Sequence, residues 1–446
     1  MMWLAVRREC LRLRVQRRIY LDNAATSFPK PAAVFEAMMR YGTQVGSSPG
    51  RGHYAESREG SRLIRQCRER INAFIGGTSS DHVVFALNTS DALNLAIKGV
   101  VRGERLRRGA GTPIRLVTTT MDHNSVLRPF AALAQEGAQV VHVGADRVSG
   151  EVDLAALKCA LTPDTTLLAV NWVSNVTGTI QPVEAMCAMA RAAGVPTLVD
   201  VAQGLGHVGF DARACGADMV AFPGHKGLLG PQGTGGLYIR PGFEPRIATT
   251  REGGTGSISE LDDQPTTMPE RYEAGSHNTI GIAGLSEGVA YLMQRGIDAV
   301  REHEVELMEA MLDGLRVHGC GVEGSEGSGA MAGLRLLGFA SCERRVGTFS
   351  LVHASLTSGE IAAMLEQHFG ILARAGIHCA PRAHQTLGTL DHAAGRGAIR
   401  MSLGPFVTRD DVAAAVDAMR EICVEADAMR GGTARERVEP EQLVRP

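Results

Sequence analysis

The sequence predicts an α/β protein in which helices cover both faces of a mostly parallel sheet, and a smaller α+β domain follows. Two observations support this fold class. From about residue 60 to residue 240, short apolar runs alternate with amphipathic stretches, which is the pattern of alternating strands and helices. From about Gly284, long helical patterns replace this alternation, so the fold changes there.

Apolar runs of strand length mark the expected sheet. The predicted strands are His82–Leu87, Arg115–Thr120, Gln139–Gly144, Thr166–Val173, Thr197–Ala202 and Met219–Pro223. Helical patterns separate them, and one of these ends at Gly76-Gly77. Ligands of such sheets bind beyond the carboxyl ends of the strands, so the polar residues that follow each strand are candidate site residues.

The C-terminal part is predicted as a smaller domain. It should contain helices over Leu285–Gln294 and Ala299–Val317, a strand over Val346–Val352, a helix over Gly359–Phe369, an irregular loop and a final helix over Asp411–Ala426. We therefore expect a large domain over 19–284, whose first residues can pack with the small domain, and a small domain over 285–430. Residues 1–18 and 431–446 are expected to be a disordered basic extension and a disordered polar tail.

Composition narrows the class of protein. The chain has 446 residues, of which 44% are hydrophobic, enough for a large core and two domains. The net charge of -2 gives no electrostatic reason to expect binding to nucleic acid or to a membrane surface. No run approaches the ~18 apolar residues of a membrane span. The nine cysteines form no CxxC pair and no secretory signal precedes them, so we expect a cytoplasmic protein with reduced thiols. A transit peptide is the alternative reading of the arginine-rich start.

Lys226 is the first candidate for chemistry. The chain has only four lysines, and Lys30, Lys98 and Lys158 occupy ordinary positions between prolines or on helices. Lys226 directly follows a predicted strand, and flanking glycines allow the backbone to approach a ligand closely. A lysine in a turn is usually only a solvated charge, so its neighbours must decide.

Polar residues after other strands suggest a phosphorylated pyridine cofactor, pyridoxal 5′-phosphate (PLP). Asp200 ends a strand, and PLP needs a carboxylate at its ring nitrogen; Gln203, one turn later, could donate to the ring hydroxyl. Thr89 and Ser90 begin a helix, which suits a phosphate, and His123 could stack on a planar ring. Each residue also has an ordinary alternative, since helix capping or a structural histidine would explain it singly.

Together these residues resemble the class V aminotransferase family, and within it the SUF-type cysteine desulfurases (group II, NifS-like). The resemblance runs from about residue 19 to 425 with the motifs in family order, and the set is more specific than any single motif. The matching segments are Tyr20–Ala25, Arg51–His53, Asn88–Ala92, Asp122–His123, Val173–Gly178, Val199–Gln203, Gly224–Lys226, Glu273–Thr279, Arg374–Pro381 and Ile399–Ser402.

The resemblance implies a PLP-dependent transferase of fold type I with a seven-stranded sheet. It implies that Lys226 carries PLP, that Asp200 pairs with the ring nitrogen, that Gln203 pairs with the ring hydroxyl and that His123 stacks on the ring and belongs to the catalytic set. Asn175 would assist both cofactor and substrate.

The resemblance also implies how the phosphate and the substrate are held. Thr89, Ser90 and His225 would bind the phosphate, and Thr279 would reach the phosphate of a neighbouring subunit, which implies a homodimer. Arg400, with Arg374, would bind the substrate carboxylate, a task that the planar guanidinium suits.

The sequence departs from the family pattern at three places. Pro223 stands where many members have a Ser or Thr that contacts the phosphate, so one phosphate contact should be missing. Residues 376–378 read Gly-Ile-His where His-His is frequent, and the glycine-rich segment Gly319–Arg345 matches poorly.

Cys379 is the residue that distinguishes a desulfurase from a transaminase. Most cysteines here, such as Cys67 and Cys187, fit the role of small buried hydrophobic residues. Cys379 lies instead in a loop whose basic neighbours favour a thiolate. Those neighbours, with one proline, are Arg374, His378, Pro381, Arg382 and His384.

The sequence therefore predicts a PLP-dependent cysteine desulfurase. L-cysteine would become L-alanine, Lys226 would move the α-proton, and Cys379 would take the sulfur as a persulfide and pass it to an acceptor protein or thiol. Three alternatives stay open: a selenocysteine lyase, a class V aminotransferase or epimerase in which Cys379 is idle, and a non-catalytic sulfur-trafficking partner.

Overall fold

A computed structural model describes residues 18–50, 52–257, 260–390 and 395–435 of the chain. The predicted basic extension before residue 18, Arg51 of the Arg51–His53 motif, and the end of the predicted tail lie outside the described residues.

The strands and helices alternate over the first half of the chain, as the apolar pattern predicts. The strands are β1 (Ile19–Tyr20), β2 (Val83–Ala86), β3 (Arg115–Thr119), β4 (Gln139–Val143), β5 (Leu167–Asn171), β6 (Thr197–Asp200), β7 (Met219–Pro223), β8 (Gly235–Ile239), β9 (Leu334–Leu336), β10 (Thr348–His353), β11 (Ile371–Leu372), β12 (Arg374–Gly376) and β13 (Ala398–Ser402). The α-helices are α1 (Ala32–Arg40), α2 (Ala55–Phe74), α3 (Thr89–Arg108), α4 (Asn124–Gln135), α5 (Leu154–Ala160), α6 (Val183–Ala192), α7 (Ala212–Cys215), α8 (Thr279–Arg295), α9 (Ile297–Val317), α10 (Ser358–Phe369), α11 (Pro381–Thr386) and α12 (Arg409–Arg435).

A seven-stranded sheet with the order β2-β8-β7-β6-β5-β3-β4 forms the large part. Strands β3 to β7 run parallel to one another, and β8 runs antiparallel to both β2 and β7. The mostly parallel sheet is therefore as predicted. Strand β8 is absent from the predicted strands because it begins with glycines. A Cβ on Gly236 would lie 2.5 Å from the ring of Phe222, so the packing of β8 requires this small residue.

A second, antiparallel sheet with the order β12-β13-β10-β9 carries its own apolar core. Its strand β13 lies inside the segment predicted as an irregular loop, so that part of the prediction is wrong. Strand β1 pairs with β11 in parallel, which places residues 19–20 beside this second sheet. Helix α12 continues to Arg435, into the segment predicted as a disordered tail.

The seven-stranded sheet positions His123, Asn175, Asp200 and Lys226 at or just beyond the carboxyl ends of β3, β5, β6 and β7. The residues of β5 and β6 are all buried, which explains their continuous apolar runs. Among the described residues, no helix is both long enough and apolar enough to cross a membrane.

Candidate active site

A cavity of about 380 Å³ opens at the carboxyl ends of the parallel strands. It brings together most of the predicted cofactor-binding residues. Its wall consists of Asn88, Thr89, Ser90, His123, Ser125, Asn171, Val173, Asn175, Asp200, Ala202, Gln203, His225 and Lys226. The volume is in the range typical of small-molecule sites.

Lys226 reaches this cavity from the turn that follows β7. A Cβ on the next residue, Gly227, would lie 2.1 Å from the carbonyl oxygen of Leu205, so only glycine allows the turn to pack this closely. Burial of the Lys226 amine lowers its pKa to about 8, and the carboxylate of Asp200 offsets part of that shift. A substantial fraction of the amine is therefore unprotonated near neutral pH, as a nucleophile or base requires.

Asp200 and Gln203 lie beside Lys226 at the end of β6. Burial raises the pKa of the Asp200 carboxyl, while the backbone N–H of Ala202, 2.9 Å from Oδ1, and the charge of Lys226 act in the opposite direction. The amide nitrogen of Gln203 donates to the carbonyl oxygen of Ala24 at 3.0 Å, which fixes the orientation of this side chain. A protonated ring nitrogen would give the buried carboxylate an ionic partner.

His123 lies directly before α4 and caps it. Its Nδ1 accepts a hydrogen bond from the backbone N–H of Ser125 at 3.1 Å, which leaves the proton of the neutral ring on Nε2. Burial, reinforced by Lys226, lowers the pKa of His123 to about 4, so the ring is uncharged at neutral pH. The hydroxyl of Ser125 lies 2.9 Å from Nδ1 of His123 and 2.6 Å from the hydroxyl of Ser90.

The start of α3 forms the end of the cavity that suits a phosphate. Thr89 and Ser90 stand in the first turn of this 20-residue helix, where backbone N–H groups lack helical partners. His225 also lines this cavity, and burial lowers its pKa to about 4. Pro223, the last residue of β7, is not part of the cavity wall.

Several buried polar atoms of the wall have no partner among the described residues, and they test whether PLP fits here. They are Oδ1 of Asn171, Oδ1 of Asn175 and Nδ1 of His225. Buried polar groups normally find a hydrogen-bond partner, and the polar groups of PLP could supply one. Together with the amine of Lys226 and the carboxylate of Asp200, this set of donors and acceptors fits PLP.

Cys379 is exposed and lies outside the cavity wall, on the loop between β12 and α11. His378 and Cys379 both have left-handed backbone conformations, with φ of 49° and 56°. Two hydrogen bonds tie this loop to the cavity. The backbone N–H of Asn124 donates to the carbonyl oxygen of Cys379 at 2.8 Å, and the amide of Asn175 donates to the carbonyl oxygen of His378 at 2.6 Å.

The basic surroundings predicted for Cys379 need a correction. His378 and His384 are buried, and burial lowers their pKa values to about 3 and about 4, so neither is charged at neutral pH. Arg374, Arg400 and Lys226 are instead cationic groups close enough to Cys379 that a charge on its thiol would raise the pKa of each of them.

Arg374 and Arg400 lie opposite each other on β12 and β13. Arg400 is buried and donates to the carbonyl oxygen of Asn175 at 3.0 Å, whereas the side chain of Arg374 is half exposed. Both contact Asp22, which the prediction did not assign to the site. Thr279 begins α8, is buried and is not part of the cavity wall, so its role toward a neighbouring subunit stays a prediction.

The family model for aminotransferase class V matches residues 19–415 of this sequence. The chain belongs to the aminotransferase class V family. A probable cysteine desulfurase of Methanothermobacter thermautotrophicus is 32% identical over 91% of this chain and 94% of its own length. A cysteine desulfurase of Serratia proteamaculans is 31% identical over 90% of this chain and 93% of its own length.

Solved structures agree with this membership of the class V family. An apo cysteine desulfurase of Thermococcus onnurineus superimposes with a TM-score of 0.81 at 30% identity, covering 92% of this chain and 95% of the other. A cysteine desulfurase of Escherichia coli gives 0.77 at 26% identity with the same coverage. The predicted family, fold class and cysteine desulfurase group are thus confirmed.

Within this class V site, sequence reasoning missed Ser125, Asn171 and Asp22. Ser125 follows His123 by two residues, a spacing at which a capping residue and its partner often meet. Asn171 is the last residue of β5, and a polar residue at the end of a buried strand indicates a candidate site residue. Asp22 belongs to the Tyr20–Ala25 motif, but its contacts with Arg374 and Arg400, 352 and 378 positions later, are visible only in the folded structure.

Proposed function

We propose that this chain binds PLP on Lys226, converts L-cysteine to L-alanine, and receives the released sulfur on Cys379. One observation carries the proposal. The loop that carries the exposed Cys379 is hydrogen-bonded through Asn124 and Asn175 to the two segments that supply His123 and Asn175 to the cavity. A thiol held at the edge of a PLP cavity is suited to nucleophilic attack on a group of the bound substrate.

The polar groups of the cavity have different roles in the reaction. PLP, when bound, supplies an electron sink conjugated with the α-carbon of the amino acid. The carboxylate of Asp200 holds the proton of the ring nitrogen, and the amine of Lys226, with its pKa near 8, takes the α-proton and returns it to carbon. The neutral His123 presents Nε2–H without bringing a charge into the cavity.

Sulfur transfer completes the reaction. The Cys379 thiolate attacks the sulfur of the substrate, so a sulfur–sulfur bond forms as the bond between sulfur and the β-carbon breaks. The electron pair of the broken bond stays on the carbon, which takes up a proton and leaves as part of alanine. The persulfide on Cys379 then passes its outer sulfur to the thiol of an acceptor protein or small molecule.

A homodimer is part of the proposal. Helices α1 and α8 pack together and leave large apolar side chains exposed, namely Phe35, Met39 and Ile280. Thr279 stands beside Ile280 at the start of α8. A two-fold related copy that covers this surface would bring Thr279 near the phosphate end of the other subunit's cavity.

The direct test is to incubate the purified protein with L-cysteine and measure alanine and sulfide, with and without a reductant. Cys379→Ser should keep PLP but lose desulfuration by orders of magnitude, because serine cannot hold sulfur as a persulfide. Cys159→Ser is the matched control, since Cys159 is the other exposed cysteine among those described and lies on α5.

The outcomes separate the alternatives. A selenocysteine lyase would retain activity on selenocysteine without Cys379, because selenium is the better leaving group. An aminotransferase or epimerase would be indifferent to the substitution on every substrate. If Cys379→Ser desulfurates L-cysteine at the parent rate, the proposed sulfur transfer is wrong.

A further inference from the structure

A carboxylate of the chain itself, Asp22, lies between the two arginines predicted to bind the substrate. Arg374 donates to Asp22 through Nε at 3.0 and 3.2 Å and through Nη2 at 2.9 Å. Arg400 donates to Asp22 through Nη2 at 3.2 Å. The side chain of Asp22 is largely buried, so this is not a screened surface pair.

The two arginines share Asp22 unequally. Arg374 places Nε and Nη2 against the two oxygens of Asp22 in a side-on bidentate pair, a geometry in which an arginine binds a carboxylate strongly. Arg400 makes one bond to Asp22 and one to the carbonyl oxygen of Asn175, and its buried Nε has no partner among the described residues. Arg400 therefore keeps its Nε for another carboxylate, while the Nε–Nη2 side of Arg374 is already occupied by Asp22.

Charge balance gives this arrangement a consequence for specificity. Arg374 and Arg400 are directly opposite each other in the β12–β13 pair, where two like charges would repel. Asp22 neutralises one of them, so the three side chains carry a net charge of about +1 at neutral pH. One substrate carboxylate completes the neutralisation, and a second would meet Asp22 as a like charge.

We propose that Asp22 is a specificity-determining residue that neutralises one of the two arginines and so limits the pair to one substrate carboxylate, which Arg400 binds. The site thus favours amino acids with an uncharged side chain over those with an acidic one. In this arrangement Arg374 holds Asp22 in place beside Arg400. The inference rests on the proposed function, because an amino acid is the ligand considered.

Calorimetric titration of the PLP-loaded enzyme with L-alanine and L-aspartate tests the inference. Neither amino acid has a carbon–sulfur bond, so binding is measured without desulfuration. The parent protein should prefer L-alanine. Asp22→Asn should shift the alanine-to-aspartate preference toward aspartate by about 10-fold or more, the size of one charge-assisted hydrogen bond. An unchanged preference in a folded Asp22→Asn protein would overturn the inference.

A second variant tests the role of Arg374 by itself. In Arg374→Gln, Asp22 should turn wholly to Arg400 and compete with the substrate, so affinity for L-alanine should fall about 10-fold. The double variant with Asp22→Asn should recover most of that loss, as a double-mutant cycle detects. If the double variant binds L-alanine no better than Arg374→Gln, Asp22 is not the competitor.

Glu366→Gln is the matched control for loss of a carboxylate. Glu366 is exposed, pairs with Arg18 at 2.9 Å and is not part of the cavity wall, so its substitution should change neither affinity. The proposed function and the proposed role of Asp22 can be refuted independently. A protein that shows these binding preferences but releases no alanine from L-cysteine would contradict the proposed function and leave the role of Asp22 standing.

Discussion

The pKa of Lys226 leads to a prediction about how the enzyme takes up its cofactor. Only the unprotonated amine can attack the aldehyde of PLP. With the pKa lowered to about 8, about a quarter of the amine is unprotonated at pH 7.5, whereas at the ordinary value of 10.5 the fraction would be ~0.1%. Burial therefore speeds attachment at this pH by roughly 200-fold relative to an exposed lysine.

Stopped-flow mixing of the apoenzyme with PLP, followed by the visible absorbance of the attached cofactor, measures this rate as a function of pH. The rate should rise with pH and level off above a midpoint near 8. Asp200→Asn should move the midpoint to lower pH, because the Asp200 carboxylate is a group that raises the pKa of Lys226. Lys226→Ala is the control, and borohydride reduction followed by peptide mapping should place PLP on Lys226. A midpoint near 10.5, an upward shift in Asp200→Asn, or attachment to Lys98 or Lys158 would refute the reasoning.

Three further predictions concern stability, loop position and assembly. Glu273→Gln should lower the free energy of unfolding in urea by about 3–5 kcal/mol, because it breaks the buried pair with Arg68, whereas Glu59→Gln in a more exposed pair should cost under about 1 kcal/mol. Equal costs would show that burial does not govern the pair. Asn175→Ala should slow persulfide formation in a single turnover by about 10-fold, since His378 loses its anchor, and an unchanged rate would count against the anchored loop. Sedimentation should show a dimer that Phe35→Glu weakens; a fully active monomer would exclude a composite site.

The sequence was informative wherever chemistry depends on residues near a strand end. Lys226 and His123 follow buried strands and Asp200 ends one, and the parallel sheet brings such strand ends together. Their meeting in one cavity could therefore be anticipated from the alternation of strands and helices alone.

What could not be anticipated depends on burial and on distant contacts. His378 and His384 looked like sources of positive charge, but their enclosure keeps them neutral, and enclosure is a property of the fold. Strand β13 escaped prediction because its flanking residues are glycine-rich and irregular, and only pairing with β10 and β12 identifies it. The pairing of Asp22 with Arg374 and Arg400 likewise joins opposite ends of the chain.

The pairing of β1 with β11 has a consequence for biosynthesis. Ile19 and Tyr20 are synthesised roughly 350 residues before their partners Ile371 and Leu372. At about 5–20 residues per second, the early segment waits on the order of 20–70 s before its partner strand exists. Arg400, the partner of Asp22, is synthesised later still. The hydrogen bond from the backbone N–H of Ser402 to the carbonyl oxygen of Leu21 can form only after residue 402 has been added. A chain truncated before residue 400 therefore lacks the contact between Asp22 and Arg400 and cannot complete this arginine site.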